Sequence, residues 1–229
     1  GDQACGGEGP GRMLEPGELV EHLRLHLGPK PLAGRRVLVT AGPTREPIDP
    51  VRFVSNRSSG KMGYALATAA RNRGAEVTLV SASVSLPEPK GITLIRVETA
   101  AEMKDAVAES VTGADALIMA AAVADYRPKH TAPAKIKKES PSLNLELVKT
   151  PDILSEVTVR FVKVGFAAES EDLIANARKK LESKKLDLIV ANDITRKESG
   201  FDADTNKVTI IGREGGAERC CHGLGHGPR

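Results

Sequence analysis

The chain has 229 residues, 40% of them hydrophobic, which allows a sizeable core in one large domain or two small ones. Aromatic residues make up only 3%, with no Trp, and the formal net charge is +3, which excludes base stacking on aromatic platforms and duplex nucleic-acid binding as main activities. No apolar run reaches membrane-spanning length and no signal peptide is visible; Cys5, Cys220 and Cys221 do not form a disulfide framework, so a cytoplasmic setting is expected.

Residues 1–17, crowded with Gly and Pro, read as a loop or disordered leader. "GELVEHLRLHL" predicts a short amphipathic helix with Leu19, Leu23 and Leu27 on one face. From residue 35 the pattern changes. "RRVLVTAG" is a buried strand. "GKMGYALATAARNRG" is a helix, with Ser58 or Ser59 as its N-cap and Gly74 as its stop. "EVTLVSA" and "GITLIRVE" are strands, "AAEMKDAVAESV" a helix, and "ADALIMAAAVAD" another buried strand. "VKVGFAAE" and "LDLIVAND" are two more strands, separated by the helical "SEDLIANARKKLESKK". Strands that read as continuous apolar runs and alternate with helices predict an α/β fold, a doubly wound Rossmann-like parallel sheet.

Residues 122–150 break this rhythm with three prolines and no helical period; "LNLELV" alternates as a two-sided strand does. The segment predicts a projecting β arm or flap, and long excursions of this kind are usually functional. Open parallel sheets bind ligands beyond the carboxyl ends of their strands. The loops that matter are therefore "TAGPTREPIDP", "AVADY", "AAES" and "ND", which converge on one crevice.

"SSGKMG" stands at the start of the first sheet helix. It is not a P-loop: Ser55 occupies the place of the required early glycine and Met62 that of the Ser or Thr after the lysine. A dinucleotide fingerprint is absent too, because some seventeen residues separate Gly42 from Gly60. Two readings stand: an anion site at a helix start, or an ordinary capped helix with a surface lysine. The run "RPKHTAPAKIKK" holds Arg127, Lys129, Lys135, Lys137 and Lys138 with no acid. Ala134 and Ile136 alternate with the lysines, which would put Lys135 and Lys137 on one face of an extended segment, like a lid over an anion. Lys180 and Lys184 share a helix face, either for a ligand or to complement the helix dipole. Asp125 and Asp152 are candidate metal or ribose partners. Asn56 is a neutral donor or a turn residue. The end, "CCHGLGHG", with Cys220, Cys221, His222 and His226, reads as a disordered tail rather than a metal site. A nicotinamide-dependent oxidoreductase on the same fold lacks support, because "YRPK" has the wrong spacing for a Tyr-Lys pair and contains a proline. A non-enzymatic nucleotide-binding module is the other rival.

In order along the chain, "TAGPTREPIDPVRFVSNRSSGKMG", "AAAVADYRP", "AKIKK", "KTPDIL", "VGFAAES" and "LDLIVANDI" resemble the bacterial phosphopantothenoylcysteine synthetases of coenzyme A biosynthesis. "ACGGEGPGRM" resembles the closing segment of the phosphopantothenoylcysteine decarboxylase that is usually fused upstream. The resemblance implies a leader over 1–34, a synthetase domain over 35–211 and a tail over 212–229. It also implies that FMN belongs to a decarboxylase domain outside this chain, and that Cys5, matching the decarboxylase acid, is idle here.

The implied reaction is a ligation. The carboxylate of 4′-phosphopantothenate attacks the α-phosphate of CTP, releasing pyrophosphate, and the amine of L-cysteine then displaces CMP from the acyl-cytidylate. The same resemblance assigns catalysis to Asn56 and Lys135. Nucleotide contacts fall on Met119, Ala120, Ala121, Asp125, Lys135, Pro151, Asp152, Ile153, Leu154, Phe166, Lys180 and Lys184. Asn56, Ser58, Ser59, Gly60 and Lys61 would hold the acyl substrate, and Mg2+ would sit near Asp125. A homodimer built with the help of the arm is implied, with no nucleic-acid or membrane partner. Two departures from the family are visible: only "TVRFVK" stands between "PDILSEV" and "VGFAAE", and the apolar C-terminal helix of the family is missing.

Overall fold

The computed structural model describes residues 15–138, 141–158, 161–169, 171–193, 205–214 and 217–223. Helix α1 (Pro16–Leu27) leads into strand β1 (Arg36–Ala41). A small hairpin, β2 (Arg45–Pro47) and β3 (Phe53–Ser55), precedes α2 (Lys61–Asn72) and β4 (Glu76–Ser81). Then come β5 (Thr93–Arg96), α3 (Ala100–Ser110) and β6 (Ala116–Met119). Strands β7 (Tyr126–Pro128) and β8 (Leu147–Lys149) flank the arm. The chain continues through α4 (Ile153–Glu156), β9 (Val162–Glu169), α5 (Leu173–Ser183) and β10 (Leu188–Asp193). Strands β11 (Thr205–Gly212) and β12 (Ala217–Gly223) follow.

The main sheet has eight strands in the order β12-β11-β10-β9-β6-β1-β4-β5. The six from β10 to β5 are parallel; β11 and β12 add an antiparallel edge. β1 is central because five of its six residues are buried and aliphatic or β-branched, as a strand covered on both faces requires. Its side chains alternate between two cores. Val37, Val39 and Ala41 join Tyr64, Ala67 and Ala70 of α2 on one face. Leu38 joins Met103 and Val107 of α3, Ile153 and Leu154 of α4, and Ala177 and Leu181 of α5 on the other. The doubly wound α/β expectation is thus met.

Several local expectations are corrected. "ADALIMAAAVAD" is a strand only over Ala116–Met119; past it, the Ala121 N–H donates to the Thr40 hydroxyl and the Ala122 N–H to the Gly42 carbonyl, which takes the backbone off the ladder. No serine caps α2. Gly60 does, at φ +76°, with its own N–H donating to the Ser58 hydroxyl. An added Cβ at Gly60 would lie 2.6 Å from Val84, and one at Gly63 only 2.5 Å from the Cβ of Ala41. These two glycines let the helix start approach the carboxyl end of β1. On α1, which packs against α2, Leu19 is half-buried but Leu23 and Leu27 are exposed. "LNLELV" is a strand only from Leu147, opposite the three-residue β7, and one further backbone bond, from the Lys129 N–H to the Glu146 carbonyl, extends the pairing. The tail expected to be disordered carries β12 instead, whose backbone makes seven pairs with β11. Residues 224–229 lie outside the described residues, as do Cys5 and His226.

Among the described residues no helix is long and apolar enough to cross a membrane.

Candidate active site

The strand ends meet as expected. After β1, the Thr44 hydroxyl accepts from the Ala124 N–H at 2.9 Å, and Pro43 bridges Ala122. Thr40 and Thr44 are both fully buried, so their hydroxyls act as fixed acceptors that bind the loop after β6 to the loop after β1. Thr150 closes the base of the arm by donating its hydroxyl to Ala124 O and its N–H to Asp125 O. Ser55 donates to Thr44 O, bringing the end of the β2–β3 hairpin alongside.

These ties frame a cavity of about 780 Å³. Its walls are Asn56–Gly63 at the start of α2, Met119–Val123 with Asp125 and Tyr126 after β6, Lys149–Leu154, Phe166–Ala168, Lys180 and Lys184 of α5, and Asn192 at the end of β10. Asn56, Ser58, Ser59, Gly60 and Lys61 are therefore all at the wall, together with Met119, Ala120, Ala121, Asp125, Pro151, Asp152, Ile153, Leu154, Phe166, Lys180 and Lys184. Lys135 is not. It stands exposed on the arm, outside the cavity lining.

The cavity is electropositive. Arg57, Lys61, Lys149, Lys180 and Lys184 line it against two carboxylates, Asp125 and Asp152. One of those is already engaged: Lys184 Nζ lies 3.1 Å from Asp152 Oδ1. Burial pushes the Asp152 carboxyl up, but the hydrogen bonds from Lys184 and Ser155 outweigh it and hold it below the usual range. Lys180 moves in the opposite sense to an ion-paired lysine. Burial first, then the Lys184 charge, push it below the ordinary lysine range, against the pull of Glu169, Asp125 and Asp152. Its Nζ donates to Phe166 O at 3.0 Å. An anion in the cavity would relieve this excess of positive charge.

Asn56 is exposed, and its Nδ2 donates to Val123 O at 3.0 Å, which leaves its second amide hydrogen for a ligand. The first turn of α2 has no acidic residue, and its N-cap has no side chain to occupy the N–H groups. Among the described residues no cluster of three His, Cys, Asp or Glu side chains is placed to hold a metal. Among the described residues Asp152 is the wall carboxylate in an ion pair with a lysine; Asp125 is in none, a donor that suits a magnesium ion held mainly by phosphates rather than a protein cage.

Sequence reasoning gave no role to Arg57, Lys149, Tyr126 or Asn192, although Tyr126 and Asn192 stand in the strand-end loops "AVADY" and "ND". Asn192 is the most informative, since its Oδ1 is buried with no partner among the described residues. The signal available was position: it directly follows the apolar run of β10, at a carboxyl end.

Residues 32–222 match the DNA/pantothenate metabolism flavoprotein C-terminal domain family. The chain is 51% identical over 221 residues to the coenzyme A biosynthesis bifunctional protein CoaBC of Vibrio cholerae, which covers 94% of this chain and 55% of that protein. To the CoaBC of Bacillus subtilis it is 49% identical over 219 residues, covering 93% and 54%. The chain thus spans about half the length of the curated relatives it matches. A crystal structure of a CoaBC C-terminal domain is similar with a TM-score of 0.71 at 42% identity, over 83% of this chain and 88% of that one. A Cab2 structure in complex with phosphopantothenate-cysteine shares the fold, with a TM-score of 0.65 at 18% identity over 89% and 84% of the two chains. The resemblance carried by the six sequence blocks is borne out, and this chain belongs to the DNA/pantothenate metabolism flavoprotein C-terminal domain family.

Proposed function

We propose that this chain is a phosphopantothenate–cysteine ligase. The carboxylate of 4′-phosphopantothenate attacks the α-phosphorus of CTP, the bond to the β-phosphate oxygen breaks, and pyrophosphate leaves. The amine of L-cysteine then attacks the acyl carbonyl, loses a proton, and expels CMP as the amide forms. The observation that carries this reading is the electropositive cavity at the strand ends, with five cationic side chains against two carboxylates. Both substrates of the first step are anionic, and so is the transition state between them.

In this reading the triphosphate lies toward Lys180 and Lys184, with its Mg2+ near Asp125, while the start of α2 and the amide of Asn56 face the acyl group. Asp125 is the residue that would hold the ion, whose positive charge would offset that of the phosphates. The protein side chains orient the two anions and exclude water from the acyl-cytidylate. A homodimer is part of this proposal, supported by two exposed apolar regions. One is the β9–β10 face that α2 does not reach, where Val162 and Leu188 are exposed. The other is the arm, with Tyr126, Leu143, Leu145 and Leu147. The decisive assay is pyrophosphate release with 4′-phosphopantothenate, comparing CTP with ATP, with and without cysteine. Release that depends on 4′-phosphopantothenate and prefers CTP supports the ligase. Nucleotide binding with no release in any combination refutes it.

A further inference from the structure

The lysine run meets the body of the protein at the β2–β3 hairpin. Asp49 lies in the loop of the β2–β3 hairpin with its side chain fully buried. Its Oδ1 accepts from the N–H groups of Val51 and Arg52 at 2.8 and 2.9 Å. Its Oδ2 accepts from Arg52 Nε at 2.9 Å, from Arg52 Nη2 at 2.5 Å and from the N–H of Ile136 at 3.1 Å. Arg52 Nη2 also donates to Ile136 O at 2.6 Å. The peptide groups on both sides of Ile136 are therefore gripped, the N–H by a carboxylate and the C=O by the guanidinium paired with it. Thr131 and Ala132 add donations to Pro47 O and Ile48 O, so the same hairpin loop meets the run at three residues.

This grip has a directional consequence. Ile136 is half-buried while Lys135 and Lys137 on either side are exposed. Fixing the backbone at Ile136 fixes the direction in which both lysines leave it. No regular structure does this job, because residues 129–138 lie in no helix or strand. The hairpin that supplies Asp49 ends in Ser55 and runs directly into Asn56 at the cavity wall, so one short element serves both the cavity and the lysine run.

We infer that Asp49 is a positioning residue: its buried carboxylate, with Arg52, latches the arm at Ile136 and sets the aim of Lys135. The carboxyl is held far below its usual range, because the hydrogen bonds from Val51, Arg52 and Ile136 outweigh the upward push of burial, so the latch is ionised at neutral pH. The inference rests on the ligase reading for its kinetic consequence but not for its structural one.

Two measurements on the full chain test it. In Asp49→Asn, hydrogen exchange at the Ile136 amide accelerates by about tenfold or more, while core amides such as Val39 and Leu79 keep their protection. In the same variant the rate of pyrophosphate release falls by about 10- to 100-fold, the range a misaimed group typically costs. Adding Asp49→Asn to Lys135→Gln costs less than about twofold more, because the latch acts through Lys135. Unchanged exchange at Ile136 overturns the inference, and so does a double variant that shows the full product of the two losses. If Asp49→Asn also exposes the core amides, Ile136→Pro deletes the arm's donor without touching the hairpin; it must reproduce the loss, and a fully active Ile136→Pro overturns the latch. If the unmodified chain releases no pyrophosphate, the ligase reading fails and exchange at Ile136 alone decides this one.

Discussion

The floor of the cavity and the arm beside it are held by opposite means. The floor is the carboxyl edge of a parallel sheet, where strands fix the backbone and the buried hydroxyls of Thr40 and Thr44 collect the N–H groups that leave the ladder. Past β7 the lysine run has neither strand nor core, and hangs on a few hydrogen bonds to the β2–β3 hairpin. The floor therefore gets its geometry from the same burial that folds the chain. The arm's geometry can be lost with little effect on folding. Substitutions should separate along this line, with floor residues altering stability and arm residues altering rate.

The largest effect is expected where the two regions meet, at Asn56. Asn56→Asp replaces a donor to Val123 O with a negatively charged acceptor facing that carbonyl, in a cavity meant for anions. Two like charges about 4 Å apart repel by about 4 kcal/mol at an effective dielectric near 20, or about 10³-fold in rate. Asn56→Ala loses about 1 kcal/mol of neutral hydrogen bond and is the milder change. Pyrophosphate release without cysteine isolates this step. Normal acyl-cytidylate formation in Asn56→Asp would reduce Asn56 to a turn residue.

Next is Lys135→Gln on the arm, for which a loss of about 10²–10³-fold in turnover is expected, typical of removing a charge aimed at phosphoryl oxygens. Its urea midpoint should stay at the wild-type value, because the side chain is exposed and packs against nothing in the core. Turnover close to wild type would strike Lys135 from the machinery, in line with its place outside the cavity lining.

Thr44→Val reverses that pattern. The shape is kept, but the Ala124 N–H loses its acceptor in a site with no access to water. An unpaired buried donor costs about 1–3 kcal/mol, which urea unfolding would show as a lower midpoint at unchanged slope. Thr44→Ser keeps the acceptor and should recover most of it. A Thr44→Val midpoint within error of wild type would mean that the floor is not held by this hydroxyl.

The floor was far more legible in the sequence than the arm, for the same physical reason. Burial on both faces writes β1, β4 and β10 as aliphatic runs, and the rule that ligands sit at their carboxyl ends then picks out the loops after β1, β6, β9 and β10, while Met119, Phe166 and a ligand role for Lys180 came only with the family resemblance. The arm's contacts are made largely by backbone groups, with Asp49, Arg52 and Thr131, and they join residues some eighty-five positions apart, as Asp49 to Ile136, eighty-seven positions on. No periodicity encodes such a contact. Gly60 was misread for a related reason. A serine is the commoner cap, and the left-handed φ of Gly60 together with the close approach of Val84 and Gly42 explains why a residue without Cβ stands there. β12 was hidden by its composition, since an edge strand paired through its backbone need not look apolar.

The smallest effect is the most direct reading of the cavity's charge. Lys180 is held below the ordinary lysine range by burial and by Lys184, so a polyanion near its Nζ must raise its affinity for a proton. The signs follow. Without ligand, the folded state binds the proton less tightly than the unfolded chain, so charging Lys180 opposes folding and stability rises as pH climbs through its lowered value. With a nucleotide bound the proton is retained, so binding takes up a fraction of a proton between the lowered value and the ordinary one. Affinity should therefore weaken as pH rises through that window. Titration calorimetry of the nucleotide in buffers of different ionisation heats measures the uptake, and Lys180→Arg, charged at every accessible pH, should abolish it. Zero uptake across the window, with a flat affinity, would mean that the phosphates lie away from Lys180 and that its partner remains the carbonyl of Phe166.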